Sequence, residues 1–150
     1  MGMKYLDGEI LEHDQFIQYH NAFKDQLKED RIKAIIVNVV GWGDEPQMCD
    51  AELCVSYKRP DNYDELDQDQ QYVIWDRNFE HEKNMIKKWE HYTNIAANYL
   101  ISKHCIKLGA DAGGRTQLVF DVNKLEIEQH VYHHEIVDAK HPRKVVLPSN

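Results

Sequence analysis

The chain is short of most features that announce a secreted, membrane-spanning or catalytic protein. Its 150 residues hold only three cysteines, Cys49, Cys54 and Cys105. An odd number without regular spacing makes neither a disulfide framework nor a CxxC metal or redox motif. Cys54 falls in an apolar strand pattern and Cys105 in a helical one, where a free thiol behaves as a small hydrophobe. No apolar run approaches the length that crosses a bilayer. Met1 to Leu6 lacks the apolar core of a secretory signal, and Leu6 stands where a myristoylation motif on Gly2 wants serine or threonine. These absences predict a cytoplasmic protein in a reducing compartment. Motifs are missing too: there is no HExxH helix, P-loop, GxSxG elbow or GxGxxG turn. The expectation is therefore a non-enzymatic protein without a cofactor.

Positive charge is scarce. Lys and Arg number 18 against 26 Asp and Glu, a net charge of −8. Such a surface repels phosphate backbones, which argues against direct nucleic-acid binding, and it suits a basic partner or simple solubility. The basic clusters are short, at Lys58-Arg59 and from Lys140 to Lys144. At 42% hydrophobic and 29% charged residues the chain is too apolar to be disordered, and its length is that of one domain, 1–150.

Helical spacing runs from Leu11 to Asp30, with Phe16, Tyr19, Phe23 and Leu27 on one stripe and Asp14 as the expected N-cap. Ile32 to Val40 is apolar on both parities, the pattern of a strand covered on both faces. Ala51 to Tyr57 alternates as a second strand. Gln71 to Asp76, carrying Tyr72, Val73, Ile74 and Trp75, reads by β-propensity as a third. A long helix is predicted from about Phe79 to Leu108, capped by Asn78 and closed by Gly109. A hairpin then pairs Arg115–Val122 with Leu125–Tyr132, with Asn123 suited to positive φ. Residues 137–150 read as an irregular tail. The predicted fold class is α+β: one antiparallel sheet of about five strands with a short N-terminal helix and a long helix packed on it, in the order α-β-β-β-α-β-β.

The feature most suggestive of function is the segment from Asp61 to Gln70. Asp61, Asp64, Glu65, Asp67 and Asp69 accompany Tyr63 there without one basic residue. Trp42, Asp44 and Glu45 lie near the preceding turn. Charge runs are often merely solvated loops. Carboxylates beside aromatic side chains also make a surface for a basic protein, with charge guiding encounter and aromatic groups anchoring the complex. His130, His133 and His134 are candidates for a metal site, but on a strand residues at i and i+3 face opposite sides and do not converge. A ligand-binding or hydrolase domain would instead need a pocket between the long helix and the sheet, with His91, Asn94 and Tyr99 converging in it.

The succession of a short helix, the strand Ala34-Ile35-Ile36-Val37-Asn38-Val39-Val40, the strand and loop Leu53 to Pro60, a long helix, and the hairpin Gln117–Asp121 with Leu125-Glu126-Ile127 resembles the YezG-type immunity proteins of polymorphic bacterial toxin systems. The resemblance covers most of the chain as a pattern. It implies a protein that binds and neutralises a cognate toxin, often a nuclease, and carries over no functional residue. A phage-encoded inhibitor of a bacterial defence system has the same small size, acidity and lack of motifs, and stays open as an alternative.

Overall fold

The computed structural model describes residues 5–41, 48–104, 114–133, 136–137 and 143–148. Helix α1 (His13–Glu29) leads into strands β1 (Ile32–Gly41) and β2 (Met48–Val55). Helices α2 (Gln68–Lys88) and α3 (Glu90–His104) follow, then strands β3 (Gly114–Asp121), β4 (Glu126–His133), β5 (Ile136–Val137) and β6 (Arg143–Val146). The fold class is the expected α+β, with a single antiparallel sheet ordered β2-β1-β3-β4. The outer edge of β4 is shared by two short strands, β5 beside Tyr132 and His133 and β6 beside Glu126 to Gln129. Part of the expected irregular tail is therefore sheet: Leu147 is buried and its amide donates to the Leu125 carbonyl at 2.8 Å.

Register explains which face is filled. Leu53, Ile35 and Phe120 lie side by side, as do Val37 and Leu118, and all five are buried in one core with the apolar residues of α1 and α3. The alternate residues of β1 do not match the expectation of a strand covered on both faces: Val40 is exposed and Ile36 and Asn38 are half-buried. Asn38 donates to Asp50 and accepts from Gln117, a polar row across that second face.

α3 is buried on nearly every side, from Tyr92 to Ile101, with Ala96 and Ala97 fully enclosed. A helix apolar all round belongs inside a fold rather than on its surface. Its Asn98 is also fully buried and holds the N-terminal segment by taking the Leu6 amide at 2.9 Å and donating to the Leu6 carbonyl at 3.0 Å. Gly8 beside it sits at φ 137°, where an added Cβ would press on Ile95 at 3.2 Å.

Several local expectations are corrected. The cap of α1 is Glu12, whose amide donates to the Gln15 side chain at 2.9 Å, and Asp14 lies in the first turn. In the β3–β4 turn Leu125, not Asn123, takes positive φ (53°), because Asp121 already ties down the amides of Asn123 and Lys124 at 2.9 Å each. The largest difference is at Gln71 to Asp76, which is helix rather than strand. Asp67 caps α2 through the Gln70 amide at 2.8 Å, and Gln70 returns the bond to the Asp67 amide. This capping box starts a helix that tertiary contacts then hold, and β-propensity yields to them. The expected single helix from Phe79 is thus two, divided at Trp89, whose φ/ψ of −101°/17° leaves the helical range.

Asn78, expected as a cap, is buried in the middle of α2. It accepts from the Lys58 amide at 2.8 Å and donates to the Lys58 carbonyl at 3.1 Å, so one side chain serves as a strand neighbour for Lys58, three residues beyond β2. Replacing Asn78 by alanine leaves both backbone groups without their partner and is expected to cost about 1–3 kcal/mol. Urea unfolding of the variant checks this. An unchanged midpoint would show that Lys58 is satisfied equally well by water.

Candidate functional site

The acidic segment and α2 form one continuous stretch. From Asp61 to Asp76 there are six carboxylates, Asp61, Asp64, Glu65, Asp67, Asp69 and Asp76, and no Lys or Arg. Tyr63–Glu65 is a short 3-10 turn, tied to the helix by Gln71, whose amide donates to the Tyr63 carbonyl at 2.9 Å. Asp61, Asp64, Glu65 and Asp69 are exposed. Asp67 is also exposed, yet its carboxylate is engaged in capping α2. Tyr63 is half-buried with the Arg59 guanidinium 4.7 Å above its ring, so it is held within the fold rather than offered to a partner. Trp42, Asp44 and Glu45 lie outside the described residues.

The side chains that stand out from this surface are others. Tyr72, Trp75 and Phe79 are 63%, 43% and 40% exposed, and Ile86 further along α2 is 46% exposed. At i, i+3 and i+7 the three rings fall on one side of the helix. Tyr72 and Trp75 are 5.8 Å apart between centroids, and Trp75 stacks on Phe79 at 5.2 Å and 11°. The neighbouring stripe Gln71, Ile74, Asn78, His81 and Met85 is turned inward. An aromatic ladder left in water while a separate stripe binds the helix to the body is unusual, because exposed apolar area of this kind ordinarily marks a contact surface. Reading Tyr72 and Trp75 as strand residues hid the ladder. The double stripe at 3.6-residue spacing, in a stretch free of Gly and Pro between Pro60 and Gly109, is the signal that reveals it.

His130 pairs with Glu128 at 2.9 Å, the side chain of His133 and the whole of His134 lie outside the described residues, and no group of three or more metal-ligating side chains occurs among the described residues. His91 and Asn94 border a shallow groove with Gly8 and Lys87. Tyr99 does not join them. It is buried against Phe16, with its hydroxyl 2.7 Å from His13 Nδ1 and 3.0 Å from His104 Nε2. Burial raises the Tyr99 hydroxyl to about 12, so it stays neutral and bridges two imidazoles. His20 is likewise a core histidine, hydrogen-bonded to the Tyr92 hydroxyl at 2.8 Å; burial, with the Lys24 charge nearby, holds its imidazole below the ordinary value. The thiols of Cys49 and Cys54 are raised, first by burial and then by Asp50 and Glu52 respectively. A raised thiol is the reverse of what a nucleophile needs.

No helix among the described residues is long and apolar enough to cross a membrane. The chain matches no protein-family model, no curated protein and no solved structure.

Proposed function

We propose that this chain is a non-enzymatic protein-binding inhibitor, an immunity protein that neutralises a basic toxin domain of the nuclease class. The observation that carries the reading is the exposed ladder Tyr72-Trp75-Phe79 continuing directly from the carboxylates Asp61, Asp64 and Glu65. A nuclease site is basic because it must hold phosphates, and an acidic surface that covers it gains in encounter rate and register. Aromatic anchors supply the lasting affinity, since large rigid rings dominate binding energy at small cost in side-chain entropy. The pattern resemblance to YezG-type immunity proteins points the same way.

The test is a complex between this protein and the toxin domain encoded beside it, with toxin activity as a second readout. Trp75→Ala is expected to weaken binding by about 30-fold or more, mainly through faster dissociation. Asp64→Lys with Glu65→Lys should slow association and flatten its salt dependence. Asp67 is left intact in this variant because its loss would uncap α2. A complex that tolerates both variants unchanged, or a toxin still active when saturated with the protein, would refute the reading.

A further inference from the structure

A second feature lies on the other side of α2 and has the opposite charge. Arg31, Lys58, Arg59 and Arg77 line one cavity of about 500 Å³. No acidic residue lines it, and none of the four takes part in an ion pair among the described residues. Four cations around one hollow, with no ion-pair partner among the described residues, contrast with a chain whose net charge is −8. Arg31 Nη1 is buried and has no hydrogen-bond partner among the described residues.

The cavity is built, not incidental. Arg31 stands at φ 63° in the turn between α1 and β1, and its carbonyl accepts from the Ser56 amide at 2.8 Å. Lys58 is held by both bonds from Asn78, which also lines the cavity. Arg59 is braced on the Tyr63 ring. The α1–β1 turn, the segment after β2 and α2 are thus tied together around the cavity, while Pro60 and Ile74 supply apolar wall.

We propose that this cavity binds a phosphorylated small molecule of nucleotide size through its phosphate groups. Guanidinium forks match phosphate oxygens in geometry, and three of the four cations are arginines. The volume is in the range of small-ligand pockets and exceeds what a bare phosphate fills. A small anion is favoured over a nucleic acid because a polyanion would also meet Asp61, Asp64 and Asp76 on the neighbouring turn and helix. The site shares no residue with the aromatic ladder, so it stands or falls apart from the inhibitor reading.

Calorimetry in phosphate-free, low-salt buffer tests it with inorganic phosphate, pyrophosphate and ADP as probes. Pyrophosphate and ADP are expected to bind, with affinity falling as salt is added. Arg77→Gln and Arg31→Gln should each weaken binding by about tenfold or more, and Lys103→Gln, beside Glu12 at the opposite end of α1 from Arg31, should not. Tighter binding of ADP than of pyrophosphate would show the nucleoside using the apolar wall. Equal binding would assign the site to the phosphate groups alone, from an inorganic source. Arg31 is partly buried, so Arg59→Gln and Arg77→Gln, which alter only exposed side chains, keep the test intact should Arg31→Gln disturb the turn. No binding of any probe, or binding undiminished in Arg77→Gln, overturns the proposal.

Discussion

Replacing Phe16 by alanine is expected to destabilise the fold by about 3–5 kcal/mol, a large part of the stability of a typical domain. Phe16 is fully buried, stacks on Tyr99 at 4.3 Å and 8°, and meets Phe120 edge-on at 5.9 Å. One ring therefore joins α1, α3 and the sheet. Its loss leaves a cavity that none of the three can close without moving the others, and it removes aromatic contacts beyond the buried area. Tyr99 would also lose the neighbour that keeps its hydroxyl between His13 and His104. Urea unfolding should show a midpoint far below wild type, while Phe16→Leu, which keeps most of the apolar volume, should lie between. A Phe16→Ala midpoint close to wild type would mean that α1 contributes little to the core.

Asp30→Ala is expected to cost about 3 kcal/mol at neutral pH. Asp30 follows α1, and its carboxylate accepts from Lys88 at 2.6 Å, from the Trp89 indole at 2.9 Å and from Gln26 at 3.0 Å. His81 donates to its backbone carbonyl at 2.9 Å. These bonds fix the point where α2 gives way to α3 against the end of α1. Burial alone would raise the Asp30 carboxyl, but the hydrogen bonds from Lys88, Trp89 and Gln26, with the Lys88 charge, outweigh it and hold the group below the ordinary 3.8. The sign follows from linkage. A folded-state value below the unfolded one means stability present in full above 3.8 and lost as pH falls through the folded value. His20, also lowered, adds an earlier loss that begins as pH drops below 6.5. Unfolding measured from about pH 7 to about pH 3 should therefore decline in two stages. Asp30→Asn keeps an acceptor but should flatten the second stage only. A second stage as steep in Asp30→Asn as in wild type would place the acid sensitivity elsewhere.

How much of this was legible beforehand depends on how local its cause was. The stripe Phe16 to Leu27, the strands around Ile35 and Leu53, and the hairpin about Asp121 to Lys124 follow from side-chain periodicity and turn chemistry within a few residues. Those elements appear where expected. The run Tyr72-Val73-Ile74-Trp75 misled because β-branched and aromatic residues fit a strand, whereas the capping box before them and the anchor of Asn78 on Lys58 hold a helix. Asp67 illustrates the same limit at a candidate site: counted by charge it belonged to a binding surface, but its carboxylate caps α2.

The sequence by itself determined the α+β class, the acidity of the segment from Asp61 to Asp69 and the lack of catalytic motifs, since composition and short-range pattern fix these. Only the tertiary structure decided that Tyr72, Trp75 and Phe79 stand together in water, that Asp30 gathers bonds from α1, α2 and Trp89 at one carboxylate, and that Arg31, Lys58, Arg59 and Arg77 surround one cavity. Those arrangements join side chains from turns, helices and strands far apart along the chain. Their proximity comes from how α1, β2 and α2 pack, which no local pattern of residues encodes.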